Sequence, residues 1–253
     1  MDRKDFTNHI SEALNQSLED VFDHILQMGG MVEKQINCVV EALQKDDVAL
    51  AKEILALDKE VNQQEVAIDS LCARILARQQ PTALDLRLVL SAIRMAVDLE
   101  RIGDEVVKVA KFVLMMSEEN VSCSQIPGVE SLIEISMRSA KMLHTALDAF
   151  ARLSINEVAE VIEEEERLDT LYKEVMHNLM PQLDQGCEDS ICSLNLIELI
   201  FALRAAERMS DHARNLVESI VYLVEGQDVR DMVEAEVYAL LKNKIEVEQS
   251  DMA

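Results

Sequence analysis

Apolar residues recur every three or four positions along almost the whole chain, and very little interrupts them. Ile10, Leu14, Leu18, Val21, Phe22 and Ile25 open the pattern, and Val32, Ile36, Val39, Val40 and Leu43 continue it. This is the period of an amphipathic helix. Only six Gly and three Pro occur in 253 residues. Sandwiches, barrels and collagen-like rods need many more of those residues for their turns, so these folds are excluded in favour of an all-α one. Aromatics make up 3% of the chain and Trp is absent, leaving Leu, Ile, Val, Ala and 13 Met to fill the core.

The breaks place the elements. A first helix is predicted over 6–43, with Gly29 and Gly30 as a bend. Asp47 is a plausible N-cap for a second helix reaching residue 78, which Pro81 stops. A third runs over 83–116. The stretch 117–129, with Pro127 and Gly128, reads as a linker. A fourth helix over 129–153, a fifth capped by Ser154 and ending near Pro181, and a sixth over 191–224 follow. Gly226 and Asp228 then lead to a short C-terminal helix and an acidic tail. Long helices with short connections call for antiparallel bundles.

A shift of 107 positions lays the second half on the first without a gap. Lys34 meets Lys141, Asp47 meets Ser154, and Glu53 meets Glu160. Ile93 falls on Ile200, Glu100-Arg101 on Glu207-Arg208, and Asp104 on Asp211. One register covers caps, core and charges, which implies two copies of a three-helix unit. The expected division is 1–118, 119–226 and a C-terminal helix and tail over 227–253.

In that register lie the residues best suited to chemistry. Glu100-x-x-x-Asp104 on the third helix corresponds to Glu207-x-x-x-Asp211 on the sixth. Asp58-x-x-x-Asn62 on the second corresponds to Glu165-x-x-x-Asp169 on the fifth. Residues four apart share a helix face, so such carboxylates can converge on one cation. Two neighbouring helices then offer up to four oxygen ligands, a set that suits Mg²⁺, Mn²⁺, Fe or Zn²⁺. Chance alone gives about nine acidic pairs at this spacing in so acidic a chain, most of them solvated faces. These pairs differ in setting: Ile93 and Val97 precede the first, Ile200 and Leu203 the second. Val161 and Ile162 precede Glu165. A carboxylate in an apolar stripe is costly unless a cation, an Arg or water neutralises it.

Other features carry less. His212 reads as a polar rim residue, and Glu174-x-x-His177 is the single E-x-x-H, half of what a ferritin-like di-iron oxidase needs. No nucleotide-binding or nucleophile-elbow glycine motif occurs. The formal charge of −24 disfavours nucleic acid and anionic lipid. No signal-like segment and no uncharged run of membrane-spanning length occurs. The five scattered Cys, Cys187 and Cys192 among them, read as free thiols. A cytoplasmic location is the expectation.

The segments DLERIGDEVVKVAKFV (98–113) and AERMSDHARNLVESIVYLV (206–224), with RQQPTALDLR (78–87), resemble the signature helices of the PhoU family. These are accessory proteins of phosphate-specific transport. The resemblance implies a dimeric, all-α, non-enzymatic protein holding metal ions through E(D)-x-x-x-D motifs. It would act negatively on phosphate uptake through a phosphate ABC transporter ATPase and a sensor histidine kinase. The metal-facing residues it implies are Asp58, Glu100, Asp104, Glu165, Asp169, Glu207 and Asp211. Three positions depart from the family pattern. Asn62 replaces an acid, so the first repeat is expected to bind metal more weakly or with fewer ions. Glu105 replaces a His that His212 keeps in the second copy, and Ser210 stands where the first copy has Gly103. A carboxylate-bridged metalloenzyme and a metal-free helical adaptor are the rival readings.

Overall fold

The computed structural model describes residues 6, 11–184, 193–230, 232 and 236–241. Six long helices account for most of them: α1 (Glu12–Lys45), α2 (Val48–Gln79), α3 (Ala83–Glu118), α4 (Val129–Arg152), α5 (Val158–Asp184) and α6 (Ser193–Glu225). Residues 236–241 form a short seventh, α7. No strand occurs among the described residues. The expected all-α architecture is therefore present. α1, α2 and α3 pack as one bundle and α4, α5 and α6 as a second. They are joined mainly along α3 and α6, with a smaller seam between α1 and α4.

Local chemistry sets the boundaries. Ser11 caps α1 by accepting from the Leu14 N–H at 3.3 Å. Asp47 caps α2 through the N–H groups of Ala49 and Leu50, at 2.8 and 3.1 Å. Such a cap stabilises a helix by about 1 kcal/mol. Pro81 follows the end of α2, as its missing N–H requires. Pro181, expected near the end of the fifth helix, does not itself end it, because α5 continues through it to Asp184.

Two expectations fail here for physical reasons. Ser154 does not cap α5. Its hydroxyl accepts from the Asn156 N–H and donates to Glu157, closing a turn that buries Ile155 before the helix starts at Val158. Gly29 and Gly30 do not interrupt α1, which is continuous over 34 residues. Gly29 is instead a packing notch: a Cβ there would stand 2.4 Å from Leu147 Cδ2 on α4. The missing side chain lets the two bundles touch.

The core is aliphatic with a small aromatic anchor. Phe6, Phe22 and Phe150 pack in series, the first pair edge-on and the second tilted, with centroid separations of 5.3 and 5.0 Å. Cys72 and Cys123 are buried free thiols, pushed up to about 12 chiefly by desolvation. Cys187 and Cys192 lie outside the described residues. No described helix is long and apolar enough to cross a membrane.

Twin carboxylate clusters as the candidate metal sites

Each bundle carries its acidic residues where its second and third helices meet. In the first, Asp58 of α2 faces Glu100 and Asp104 of α3. Burial raises the Asp58 carboxyl, and the nearby charge of Asp104 raises it further. Glu100 is raised by burial and then by Asp104, Glu65 and Asp58 in turn. Mutual repulsion of this kind means that the four groups occupy one neighbourhood. Asp104 is exposed, and Asp58, Glu65 and Glu100 are half-buried.

The close approach of α2 to α3 depends on Gly103. A Cβ there would lie 3.1 Å from Gln35 Oε1 and 3.4 Å from Asp58 Oδ1. Asp58 Oδ1 and Asn62 Oδ1 are both buried without a hydrogen bond of good geometry, and so are both polar atoms of Gln35. Stranded oxygens are costly in a protein interior. No ion pair from a described Lys or Arg reaches this cluster, although Arg101 and Lys111 stand near enough to soften its field.

Sequence reading missed Glu65 and Gln35. Glu65 sits seven residues after Asp58, on the same face of α2, and that spacing could have revealed it. Its 107-shifted counterpart is Tyr172, and that of Gln35 is Met142, so a search confined to paired positions passes over both.

The second bundle brings Glu165 and Asp169 of α5 toward Glu207 and Asp211 of α6. Glu207 is only 5% exposed. Its carboxyl is raised to about 7 by burial, followed by the neighbouring Asp211, against the pull of Arg204. Burial also raises Glu165 and Asp211. Here, however, cations are built in. Arg204 Nη1 lies 2.6 Å from Glu207 Oε1, Arg214 Nη1 2.6 Å from Glu165 Oε2, and Lys173 Nζ 2.5 Å from Asp169. The residues 107 positions earlier are Val97, Val107 and Val66. All three cations of the second cluster thus replace valines of the first.

Two features of the clusters bear on the expectation that the first binds metal more weakly. Loss of an acid at Asn62 is offset in the first cluster by Glu65 and by the absence of an internal cation. The second keeps four acids but partly neutralises them itself. Glu207 Oε2 is still buried without a partner.

All seven sequence-identified residues lie in one or other cluster. Among the described residues, no three carboxylate, His or thiol groups are already closed around a single point. Side-chain rotation would have to complete a coordination shell. The donor set is carboxylate and amide oxygen, which fits a hard divalent cation; Asn62 Oδ1 is buried without a partner, and the hydrogen-bonding neighbour that offsets the burial of Asp58 is the Gln35 amide. The residues of the first cluster therefore fit such an ion.

His212 is a correction. It is buried, not at a rim, and its Nδ1 donates to Asp98 Oδ1 at 2.9 Å across the α3–α6 seam. Asn215 donates to the same oxygen at 3.1 Å. Its repeat counterpart, Glu105, is equally buried and crosses the seam the other way, to Arg208 at 3.0 Å, with Lys108 at 2.8 Å. These pairs lock the bundles together. Glu174 and His177 line a surface groove along α5 together with Lys173, the ion-pair partner of Asp169.

The PhoU domain model matches the chain twice, over residues 25–113 and 132–220, segments offset by the same 107 positions. The chain belongs to the PhoU family. Phosphate-specific transport system accessory protein PhoU homolog of Pseudomonas aeruginosa is 40% identical over 250 residues, covering 99% of this chain and 98% of that one. Phosphate-specific transport system accessory protein PhoU of Escherichia coli is 38% identical over 244 residues, covering 96% and 98%. The crystal structure of PhoU from Pseudomonas aeruginosa superimposes with a TM-score of 0.76, covering 84% of this chain and 99% of that one. The phosphate transport system regulatory protein PhoU from Streptococcus pneumoniae, at 27% identity, gives 0.75 over 85% and 98%. The repeat inferred from the sequence is thus the PhoU repeat.

Proposed function

We propose that this PhoU-family protein is a metal-binding regulator that restrains phosphate uptake and phosphate-responsive signalling in the cytoplasm. The partners it would engage are a phosphate transporter's ATPase and a sensor histidine kinase, and its working form would be a homodimer. The names of its relatives support the phosphate side of this reading. The observation that carries the metal side is the first cluster, where four interacting carboxylates and two stranded amide side chains meet no built-in cation.

A divalent cation supplies the positive charge that lets these groups remain ionised side by side. Asp58 and Asn62 would hold it from α2, and Glu100 and Asp104 from α3, with Glu65 at the margin. Bridging α2 to α3 in this way stiffens one bundle. In the second bundle, Arg204, Arg214 and Lys173 do part of the same work permanently. The two halves would therefore respond differently to metal, giving the protein states that differ in partner affinity.

The test is a deletion strain carrying a phosphate-repressed reporter. The reading expects the reporter to be expressed in phosphate-rich medium, restored to silence by the wild-type gene and only partly by Asp58→Asn/Glu100→Gln/Asp104→Asn. A reporter that stays phosphate-responsive without the gene would remove the regulatory role.

A further inference from the structure

Beside the α3–α6 seam lies a cavity of about 560 Å³ whose wall carries Arg94, Arg101, Arg214 and Arg230. Four of the chain's thirteen arginines converge there, in a protein of net charge −24. We propose that this cavity binds a phosphoryl group, as inorganic phosphate or as a phosphate monoester.

Two of the arginines, Arg94 and Arg101, retain donors for such a ligand, whereas Arg230 is forked onto Asp228 at 2.8 and 2.5 Å and Arg214 is held by Glu165 and Glu218. Arg94 stacks on Tyr222, its guanidinium carbon 4.9 Å from the ring centroid. Its one ion pair with a described residue, to Asp228, is 3.8 Å long, beyond hydrogen-bond length. Arg101 is exposed and forms no hydrogen bond or ion pair with a described residue. A guanidinium presents its N–H groups as a fork that matches two oxygens of a phosphate.

Two carboxylates also line the wall, and both are engaged. Asp98 Oδ1 accepts from His212 and Asn215, and Glu218 Oε1 accepts from Arg214 at 3.4 Å. Four arginines face two carboxylates across the lining, while Asp228 pairs with Arg230 and Arg94 and Glu165 pairs with Arg214, so the charge left for a ligand is that of Arg94 and Arg101; Ser219 and Asn215 add neutral polar groups.

The cavity is not a by-product of the repeat. The 107-shifted counterparts of Arg94 and Arg214 are Phe201 and Val107, and only Arg101 has a basic counterpart, Arg208, so the basic wall as a whole is built once. It also adjoins both carboxylate clusters, because Arg101 softens the field at Glu100 and Arg214 pairs with Glu165. An anion that draws on Arg214 loosens its hold on Glu165. The regulatory reading supplies the biological meaning of this coupling, but binding itself does not depend on that reading.

The experiment is calorimetric titration of the full chain with inorganic phosphate and, separately, with adenosine monophosphate, each before and after metal chelation. Saturable binding in at least one arm is expected, surviving chelation and weakened at least tenfold by Arg94→Gln/Arg101→Gln. Arg152→Gln, a remote loss of the same charge, should leave it within twofold, and circular dichroism checks folding of each variant. No saturation in either arm, binding lost on chelation, or binding indifferent to the cavity substitutions would overturn the proposal. Because the readout is physical binding, its failure leaves the reporter experiment standing, and the reverse also holds.

Discussion

Glu207→Gln should make the metal-free protein more stable, by an amount that grows as pH rises from 4.5 to about 7. The Glu207 carboxyl is raised from 4.5 to about 7 in the folded state, first by burial and then by Asp211. The folded protein therefore holds this proton more tightly than the unfolded chain. Stability contributed by the protonated group is fully present below pH 4.5 and is lost as pH rises through about 7. The difference corresponds to roughly 3 kcal/mol once the group is ionised. Gln keeps the shape without the charge. It gives up the ion pair with Arg204, whose side chain is 52% exposed and so forfeits little. In chelator at pH 8 the variant should melt about 5–10 °C above wild type, given the usual dependence for a chain of this size. At pH 4 the two should melt together. Calorimetric melts at both values decide the matter. A variant less stable than wild type at pH 8, or equally displaced at both pH values, would refute the argument that Glu207 is a desolvated, repelled carboxylate.

Gly29→Val should cost about 1–3 kcal/mol in urea unfolding, since its side chain would collide with Leu147 and separate α1 from α4. Asp47→Ala should cost about 1 kcal/mol by the same measurement, from loss of the α2 cap. Arg204→Gln/Arg214→Gln should increase Mn²⁺ binding by the second cluster, measured calorimetrically, because two internal competitors for Glu207 and Glu165 are removed; unchanged or weaker binding would count against that competition.

The helices were legible because one hydrophobic period runs through all of them, and the 107-residue register exposed the duplication. The carboxylates were legible as polar breaks in apolar ridges. What escaped was whatever the two copies do not share. Glu65 and Gln35 have apolar or aromatic counterparts, and Arg204, Arg214 and Lys173 stand opposite valines. A comparison built on matching positions hides such differences, although they decide which cluster lacks positive charge. Ser154 misled for a related reason. It aligns with Asp47, but a cap depends on where the following backbone turns, and here Ile155 is buried before the helix begins. His212 could not be placed from one helix alone, because its partner Asp98 is 114 residues away on the other bundle.

The most direct test of the account is calorimetric titration of chelated protein with Mn²⁺, comparing wild type with Asp58→Asn/Glu100→Gln/Asp104→Asn and with Glu207→Gln/Asp211→Asn. The stronger site should vanish with the first set of substitutions and persist with the second. Equal binding by wild type and the first variant, or no saturable binding by wild type, would contradict the claim that the first bundle's carboxylates are gathered around a cation.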